Sequence, residues 1–125
     1  MTQDIYADEA KELWGETDAY KQSQRRLAGY SKEDIAKAQQ AMQDATNLVL
    51  EAMKAGLPAN SPEAMSGAEA HRQSISDYWY ECSYQIHTGL ATMYLADPRF
   101  MAHYESQQAG LAKYIHDAIV ANANK

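Results

Sequence analysis

The stretch SKEDIAKAQQAMQDATNLVLEAMKAG, residues 31–56, decides the fold class of this 125-residue chain. Ser31 followed by Asp34 is an acidic relative of the capping box that starts helices, and Gly56 is a typical helix-ending residue. Between them, apolar residues recur three or four positions apart, which is the spacing of one helix face: Ile35, Ala38, Met42, Ala45, Leu48 or Val49, and Met53. The stretch therefore predicts one helix of about 25 residues, roughly 38 Å long.

The segments on either side also predict helices. Towards the N-terminus, residues 4–13 and 17–27 have short amphipathic patterns that end near Gly15 and Gly29. Towards the C-terminus, helices are predicted to begin at Pro62 after Ser61, at Tyr84 after Ser83, at Pro98 after Asp97, and near Gln107. The chain has only three prolines and six glycines and no sustained period-two alternation, so the predicted fold class is all-α.

Composition and charge narrow the class of protein. Hydrophobic residues make up 46% of the chain, which is enough for one packed domain. The net charge is −6 and no basic run is longer than Arg25-Arg26, so we expect no direct contact with nucleic acid. No apolar run approaches the roughly 20 residues that span a bilayer, and no signal-peptide pattern is present. Since the single cysteine also suits a reducing compartment, we expect a cytoplasmic protein without membrane contact.

Hydroxylated aromatic residues are concentrated in one part of the chain. The chain has nine Tyr and two Trp but one Phe, and seventeen residues contain Tyr78, Trp79, Tyr80, Cys82, Tyr84 and Tyr94. Rings with a polar tip suit surfaces that are partly buried and partly wet. The cluster therefore indicates a ligand site, with helix-interface packing as the alternative for the individual rings.

The chemical candidates near this cluster leave alternatives open. Cys82 precedes a predicted helix start, where a thiolate is favoured, but a lone cysteine also fits a small buried apolar residue. The four histidines form no metal-binding or haem-binding pattern, so no metal and no cofactor are expected. His71 and His87 flank the cluster and are candidates for a hydrogen bond to a ligand. Arg72 is a candidate partner for a ligand carbonyl, whereas Arg99 beside Asp97 predicts a local ion pair.

Three stretches in order carry a resemblance to a known family. They are residues 14–23 (WGETDAYKQS), residues 71–82 with His-Arg, Ile75 and Tyr-Trp-Tyr-Glu-Cys, and residues 89–119 with Gly-Leu, Met-Tyr, Asp-Pro-Arg-Phe, Tyr104, Gly-Leu-Ala and Ala-Ile. Together they resemble the TipAS antibiotic-recognition domain, the C-terminal effector half of some MerR-type transcription activators. The resemblance extends from about residue 7 to residue 121.

The resemblance implies a fold, a function and a site. The fold is a globin-like helical bundle without haem, and the function is capture of bulky hydrophobic or macrocyclic peptide antibiotics in an apolar cleft. In such a regulator, the domain serves transcription control and drug resistance. The ligand-binding residues that the resemblance and the aromatic cluster indicate are Trp14, Tyr20, His71, Trp79, Tyr80, Cys82, Tyr84, His87, Tyr94 and Tyr104.

The resemblance also raises the question of a covalent bond to the ligand. In the namesake of the family a thiol can add to a dehydroamino acid of the antibiotic. Cys82 lies in the corresponding region, but the trapping position can also correspond to Gly89, which has no thiol. Because Glu81 adjoins the thiol and no Lys or Arg lies within eight residues, we expect Cys82 to pack as a neutral thiol and binding to be non-covalent.

The expected organisation is one domain in two parts. Residues 1–30 are predicted to form a helical lid that is mobile without ligand, and residues 31–125 to form the ligand-binding core. The isolated domain is expected to be a monomer that lacks the DNA-binding part of a full regulator and catalyses no reaction. The alternatives are a free-standing drug-sequestering resistance protein and, in another class, a small thiol-dependent enzyme.

Overall fold

The computed structural model describes residues 18–125, and this part of the chain is helical. Its helices are α1 (Asp18–Ala28), α2 (Lys32–Lys54), α3 (Pro62–Tyr78), α4 (Tyr84–Ala96), α5 (Pro98–Glu105) and α6 (Leu111–Ala123). Residues 18–125 contain no β-strand, which confirms the all-α prediction for this range. The helix predicted at residues 4–13 lies outside the described residues.

The ends of α2 follow the predicted capping chemistry. The Ser31 hydroxyl accepts the Asp34 N–H at 3.1 Å, and the Asp34 carboxylate accepts the Ser31 N–H at 3.1 Å. At the other end, Gly56 has a φ of 77°, a left-handed conformation that stops the helix at little steric cost. The long helix predicted from residues 31–56 is therefore confirmed.

Three of the four later helix starts were also predicted correctly. The side chain of Ser61 accepts a backbone N–H of α3, that of Ser83 one of α4, and that of Asp97 one of α5. Pro62 and Pro98 stand in the first turns of α3 and α5, where a missing N–H costs nothing.

The predicted start of the last helix near Gln107 is wrong, because α6 begins at Leu111. Gly110 has a φ of 86°, so the backbone cannot continue as a right-handed helix through this residue. The Glu105 carboxylate accepts the N–H groups of Gly110 at 2.9 Å and Ala112 at 3.0 Å, and so caps α6 from a preceding helix. A cap of this kind depends on the path of the intervening turn.

The core lies where α2 packs on α3 and where α6 packs on α3 and α4. Its largest fully buried aliphatic side chains come from α2 and α6: Val49, Leu111, Ile115 and Ile119. At Gly67 in α3, an added Cβ would lie 2.7 Å from the Val49 Cγ2 atom, so the glycine permits a close approach of α2 and α3. The end of α3 and the start of α4 flank the aromatic turn of residues 79–83. No helix in the described range is long and apolar enough to cross a membrane.

Candidate ligand-binding site

The aromatic segment forms the turn between α3 and α4, residues 79–83, and is fastened to the end of α3. The backbone N–H groups of Trp79 and Tyr80 both donate to the Ile75 carbonyl, at 2.8 and 3.1 Å. Further along, the Cys82 N–H donates to the Ser76 hydroxyl at 2.9 Å. Local bonds to the last turns of α3 therefore determine the path of this turn.

The rings of this segment are only partly covered. Trp79 and Tyr80 are half-buried, and Tyr84, in the first turn of α4, is 38% exposed. The Tyr30 ring meets the Trp79 ring edge to face, with centroids 6.4 Å apart. This arrangement is the one expected for rings that pack on one side and face solvent or a ligand on the other.

An open cleft of about 460 Å³ lies beside this turn. Its size falls in the range of small-molecule sites. It is lined by Arg72, Gln73, Ser76, Glu81, Cys82, Ser83 and Ile86. The lining combines two opposite charges, hydroxyl and amide groups and one aliphatic side chain, so the cleft can satisfy polar atoms at the edge of an apolar ligand.

Arg72 lines the cleft and contacts α3, the turn 79–83 and α4. Its guanidinium donates to the Glu69 carboxylate through Nε at 3.1 Å and Nη2 at 2.5 Å, and to the Cys82 carbonyl through Nη1 at 2.7 Å. The same guanidinium lies 4.4 Å from the centroid of the Tyr84 ring, which is a cation–π distance.

A second layer of polar contacts holds Glu69. The Asn122 amide of α6 donates to the Glu69 carboxylate at 2.9 Å, and Lys125 in turn donates to the Asn122 side-chain oxygen at 3.0 Å. The hydrogen bond from Arg72 is the main reason why the pKa of Glu69 falls to about 2, and bonds from Asn122 and Tyr84 add to it against the effect of burial. Glu69 is therefore a carboxylate at any physiological pH.

Cys82 is 1% exposed, although its residue lines the cleft. Burial raises the pKa of the thiol to about 12; Arg72 lowers it in part and Glu69 raises it. Arg72 is ten positions from Cys82 in sequence, outside the eight residues on either side that the sequence prediction used, and α3 brings it close to Cys82. Even with this cation nearby, the thiol is protonated at pH 7, and a neutral buried thiol is a poor nucleophile.

Four predicted site residues lie together in the core. His71 and His87 have no exposed surface, and Tyr94 and Tyr104 are 5% and 3% exposed. The Tyr104 hydroxyl lies 3.4 Å from His71 Nε2, and the Tyr94 ring meets the His71 ring edge-on at 6.1 Å. A ligand in the cleft therefore reaches none of these four side chains directly unless the packing changes.

The remaining predicted residues lie at the limit of the described part of the chain. Trp14 lies outside it, and the backbone of Tyr20 belongs to α1 although its side chain is outside the description. The described residues 18–125 contain no group of three His, Cys, Asp or Glu side chains suited to hold a metal ion. The predicted Arg99–Asp97 ion pair is confirmed, with Nη2 and Oδ2 3.0 Å apart.

Sequence reasoning missed the contacts that α1 makes with the rim of the cleft. The Gln22 side chain accepts the Glu81 N–H, and Arg26 donates to the Ser76 carbonyl. Just after α1, the Tyr30 hydroxyl donates to the Tyr78 carbonyl. These bonds join residues 48 to 59 positions apart, so no local pattern indicates them.

The helical fold of residues 18–125 and its open cleft are typical of a small ligand-binding domain. Comparison with known protein families makes the class specific, because the model of the TipAS antibiotic-recognition domain matches residues 6–122. The chain therefore belongs to the TipAS family, and the resemblance noted in the sequence is confirmed.

Solved structures and curated relatives agree with this assignment. The chain superposes with a TM-score of 0.86 on TipAS from Streptomyces lividans in complex with nosiheptide, a thiopeptide resistance system, with 45% identity over 97% of this chain and 85% of that one. The predicted globin-like helical fold is thereby confirmed. The antibiotic-binding domain of a TipA-class multidrug resistance transcriptional regulator gives a TM-score of 0.64 at 42% identity, over 70% of this chain and 93% of that one.

Two curated relatives are longer than this chain. The HTH-type transcriptional activator TipA of Streptomyces coelicolor is 45% identical over 96% of this chain and 47% of its own length. The HTH-type transcriptional activator mta of Bacillus subtilis is 29% identical over 94% of this chain and 45% of its own length. The chain thus spans about half the length of the curated relatives that it matches.

Proposed function

We propose that this chain is the antibiotic-sensing effector domain of a MerR-type transcription activator, and that it captures bulky hydrophobic or macrocyclic peptide antibiotics in the cleft beside the turn 79–83. One observation carries the proposal: in a chain that belongs to the TipAS family, an open cleft of about 460 Å³ is lined by Glu81, Cys82 and Ser83 of the same turn that carries the half-buried rings of Trp79 and Tyr80.

The chemistry of the turn suits a large ligand with both apolar and amide surface. The rings of Trp79, Tyr80 and Tyr84 offer faces for stacking, each worth about 0.5–1.5 kcal/mol beyond the area that it buries. Arg72 offers N–H donors to ligand carbonyls at the same place. Four predicted site residues lie in the core beneath the turn, where they support α3 and α4 rather than touch the ligand: His71, His87, Tyr94 and Tyr104.

The N-terminal part of the chain completes the site in this proposal. Residues 1–30 close over the occupied cleft as a lid, to which Trp14 and Tyr20 contribute contacts. The contacts of Gln22 with Glu81 and of Arg26 with Ser76 support the location of this lid, because they place α1 at the rim of the cleft.

The domain binds and does not catalyse. The buried thiol of Cys82, with its raised pKa, argues against a thiol-dependent enzyme and for non-covalent binding. We infer that the domain by itself is a monomer in the cytoplasm and that DNA contacts belong to another part of the regulator.

Titration calorimetry with nosiheptide tests this function. We expect saturation at one ligand per chain, and mass spectrometry of the recovered ligand should return its unchanged mass. Absence of heat and of tryptophan fluorescence change up to the solubility limit of nosiheptide would exclude a thiopeptide sensor, and progressive loss of the ligand would favour the enzyme.

A further inference from the structure

Arg72 makes contacts with more parts of the site than its neighbours in the cleft do. It bonds to Glu69 on its own helix, to the carbonyl of Cys82 in the turn, and it lies over the ring of Tyr84 in α4. Its side chain is 14% exposed, so these contacts are shielded from most of the solvent. Charge-assisted bonds in such a setting are stronger than those on an open surface.

The fork geometry of the guanidinium is what allows these contacts at the same time. The Nε and Nη2 groups point to the Glu69 carboxylate, while Nη1 points to the Cys82 carbonyl. A lysine has a single point charge and cannot hold both acceptors in fixed directions. Arg72 therefore connects α3 to the turn 79–83 through a rigid planar group.

Arg72 also keeps hydrogen-bonding capacity for a ligand. Three of its five N–H groups donate to Glu69 and Cys82. The other two have no acceptor among the described residues, and Arg72 lines the cleft.

We propose that Arg72 is the positioning residue of this site: it holds the turn 79–83 and the Tyr84 ring in the arrangement that receives the ligand, and presents its remaining N–H groups to ligand carbonyl oxygens. The inference rests on the proposed function for its ligand, but its effect on the turn is independent of any ligand. Trp79 begins this turn, so its environment reports the arrangement directly.

Trp79 quenching is measured on the full chain in a Trp14→Phe background, where Trp79 is the remaining tryptophan and the Trp14→Phe chain is the wild-type reference. Nosiheptide affinity is measured with Trp14 intact, because Trp14 is a proposed ligand contact. Arg72→Met keeps the length of the aliphatic stem and removes the fork, and Arg72→Lys keeps the charge. Arg99→Met is the matched control, because it removes the same charge and a surface ion pair but does not line the cleft. Circular dichroism and thermal melting establish that each variant is folded.

Two readouts separate positioning from a merely structural role. In the free protein, we expect Arg72→Met to raise acrylamide quenching of Trp79 by about twofold or more and to lower its anisotropy. With nosiheptide, we expect the Kd to rise by about tenfold or more, which corresponds to roughly 1.4 kcal/mol. Arg72→Lys should lie between wild type and Arg72→Met, and Arg99→Met should stay within about twofold of wild type in both readouts.

The outcomes test the role of Arg72 separately from the proposed antibiotic binding. A folded Arg72→Met variant with Trp79 quenching and nosiheptide affinity like those of wild type overturns it, even if the melting temperature falls, since that pattern is a stability effect alone. If Arg72→Met does not fold, unchanged quenching and affinity in Arg72→Lys overturn it. If wild type binds no nosiheptide, the thiopeptide function fails, and Trp79 quenching in the free variants still decides the role of Arg72.

Discussion

His71 and His87 face each other in the core, with Nδ1 of one ring 2.9 Å from Nε2 of the other and no exposed surface on either side chain. The rings are nearly parallel, at 23°. Burial lowers the pKa of His71 to about 4, with a smaller effect of His103, and the pKa of His87 to about 3, with smaller effects of His71 and Arg72. Both rings are therefore neutral, and a single proton lies between them.

The bond between the rings uses one nitrogen of each, so the two remaining nitrogens need partners outside the pair. His87 Nδ1 is buried and has no hydrogen-bond partner among the described residues. If His71 donated to His87, His87 would carry its own proton on this atom, as a buried unpaired donor. If His87 donates, the atom is an unpaired acceptor, and His71 directs its Nε2 proton towards Tyr104. The second tautomer is favoured, because orphaned buried N–H groups are the rarer defect.

The first prediction concerns acid stability. The folded-state pKa of each ring lies below the unfolded value of about 6.5, so the unfolded chain binds more protons and stability is lost as the pH falls. The loss begins near pH 6.5 and continues to about pH 4 for His71 and about pH 3 for His87. From pH 7 to pH 5 we expect the free energy of unfolding to fall by roughly 2–4 kcal/mol for the pair, at about 1.4 kcal/mol per pH unit and ring.

Urea unfolding at pH 7, 6 and 5 measures this slope. The comparison is the double variant His71→Gln, His87→Gln, for which the slope over this range should be largely removed whatever its stability at pH 7. A slope that the double variant shares with wild type would assign the acid sensitivity to other groups.

The second prediction compares two glycines in helices. Gly67→Ala places a methyl group 2.7 Å from the Val49 Cγ2 atom and 2.9 Å from the Val49 backbone nitrogen, so α2 and α3 must separate. We expect a loss of about 1–3 kcal/mol. Gly89→Ala is the matched control, because nothing lies within 4 Å of its added Cβ, and it should stabilise α4 by about 0.5–1 kcal/mol. Chemical denaturation tests the pair, and equal effects of the same sign would contradict the close approach.

The helix starts show what could be predicted from sequence. Ser31, Ser61, Ser83 and Asp97 were recognised because an N-cap bonds to an N–H group two or three residues away, a relation visible in any short window. The start of α6 was misplaced because its cap comes from Glu105, six residues before the helix, across a turn shaped by Gly110.

In the candidate site, too, local features could be predicted from sequence and contacts between distant residues could not. The aromatic turn was predicted because its residues are neighbours in sequence. The burial of His71 and His87 was not, since it depends on which faces of α3 and α4 turn towards α5 and α6. Arg72 and the Cys82 carbonyl are ten positions apart in sequence, with a break between helices in between. The periodicity of apolar residues does not define the path of that break, so it could not predict this contact.

The third prediction concerns Trp79 as a ligand contact. Replacing Trp79 by Ala removes a half-buried ring from the turn that borders the cleft, and we expect nosiheptide affinity to fall by about tenfold or more. Because Tyr30 packs edge-on against this ring, Trp79→Phe serves as the control that keeps most of that contact. Calorimetry on both folded variants measures the effect, and unchanged affinity in Trp79→Ala would remove the residue from the site.

The fourth prediction concerns the lid. The apolar anchors of residues 1–29 are few, namely Ile5, Leu13, Trp14, Tyr20 and Leu27, so their burial barely offsets the entropy of ordering. We expect fast hydrogen exchange at residues 10–25 in the free protein and strong protection when nosiheptide is bound. Exchange measured by mass spectrometry tests this, with the buried helix α6 as the internal reference. Strong protection of residues 10–25 without ligand would contradict a mobile lid.

The last prediction is that Cys82 forms no covalent bond to a thiopeptide. Attack on a dehydroamino acid requires an exposed thiolate, whereas this side chain is 1% exposed and burial raises its pKa to about 12. The nearby guanidinium of Arg72 favours the thiolate, but it is already paired with the Glu69 carboxylate, which opposes it. After incubation with nosiheptide at pH 7, intact-protein mass spectrometry under denaturing conditions should show the unmodified chain. An adduct of one ligand mass that is absent from Cys82→Ser would instead make Cys82 the reactive centre of the site.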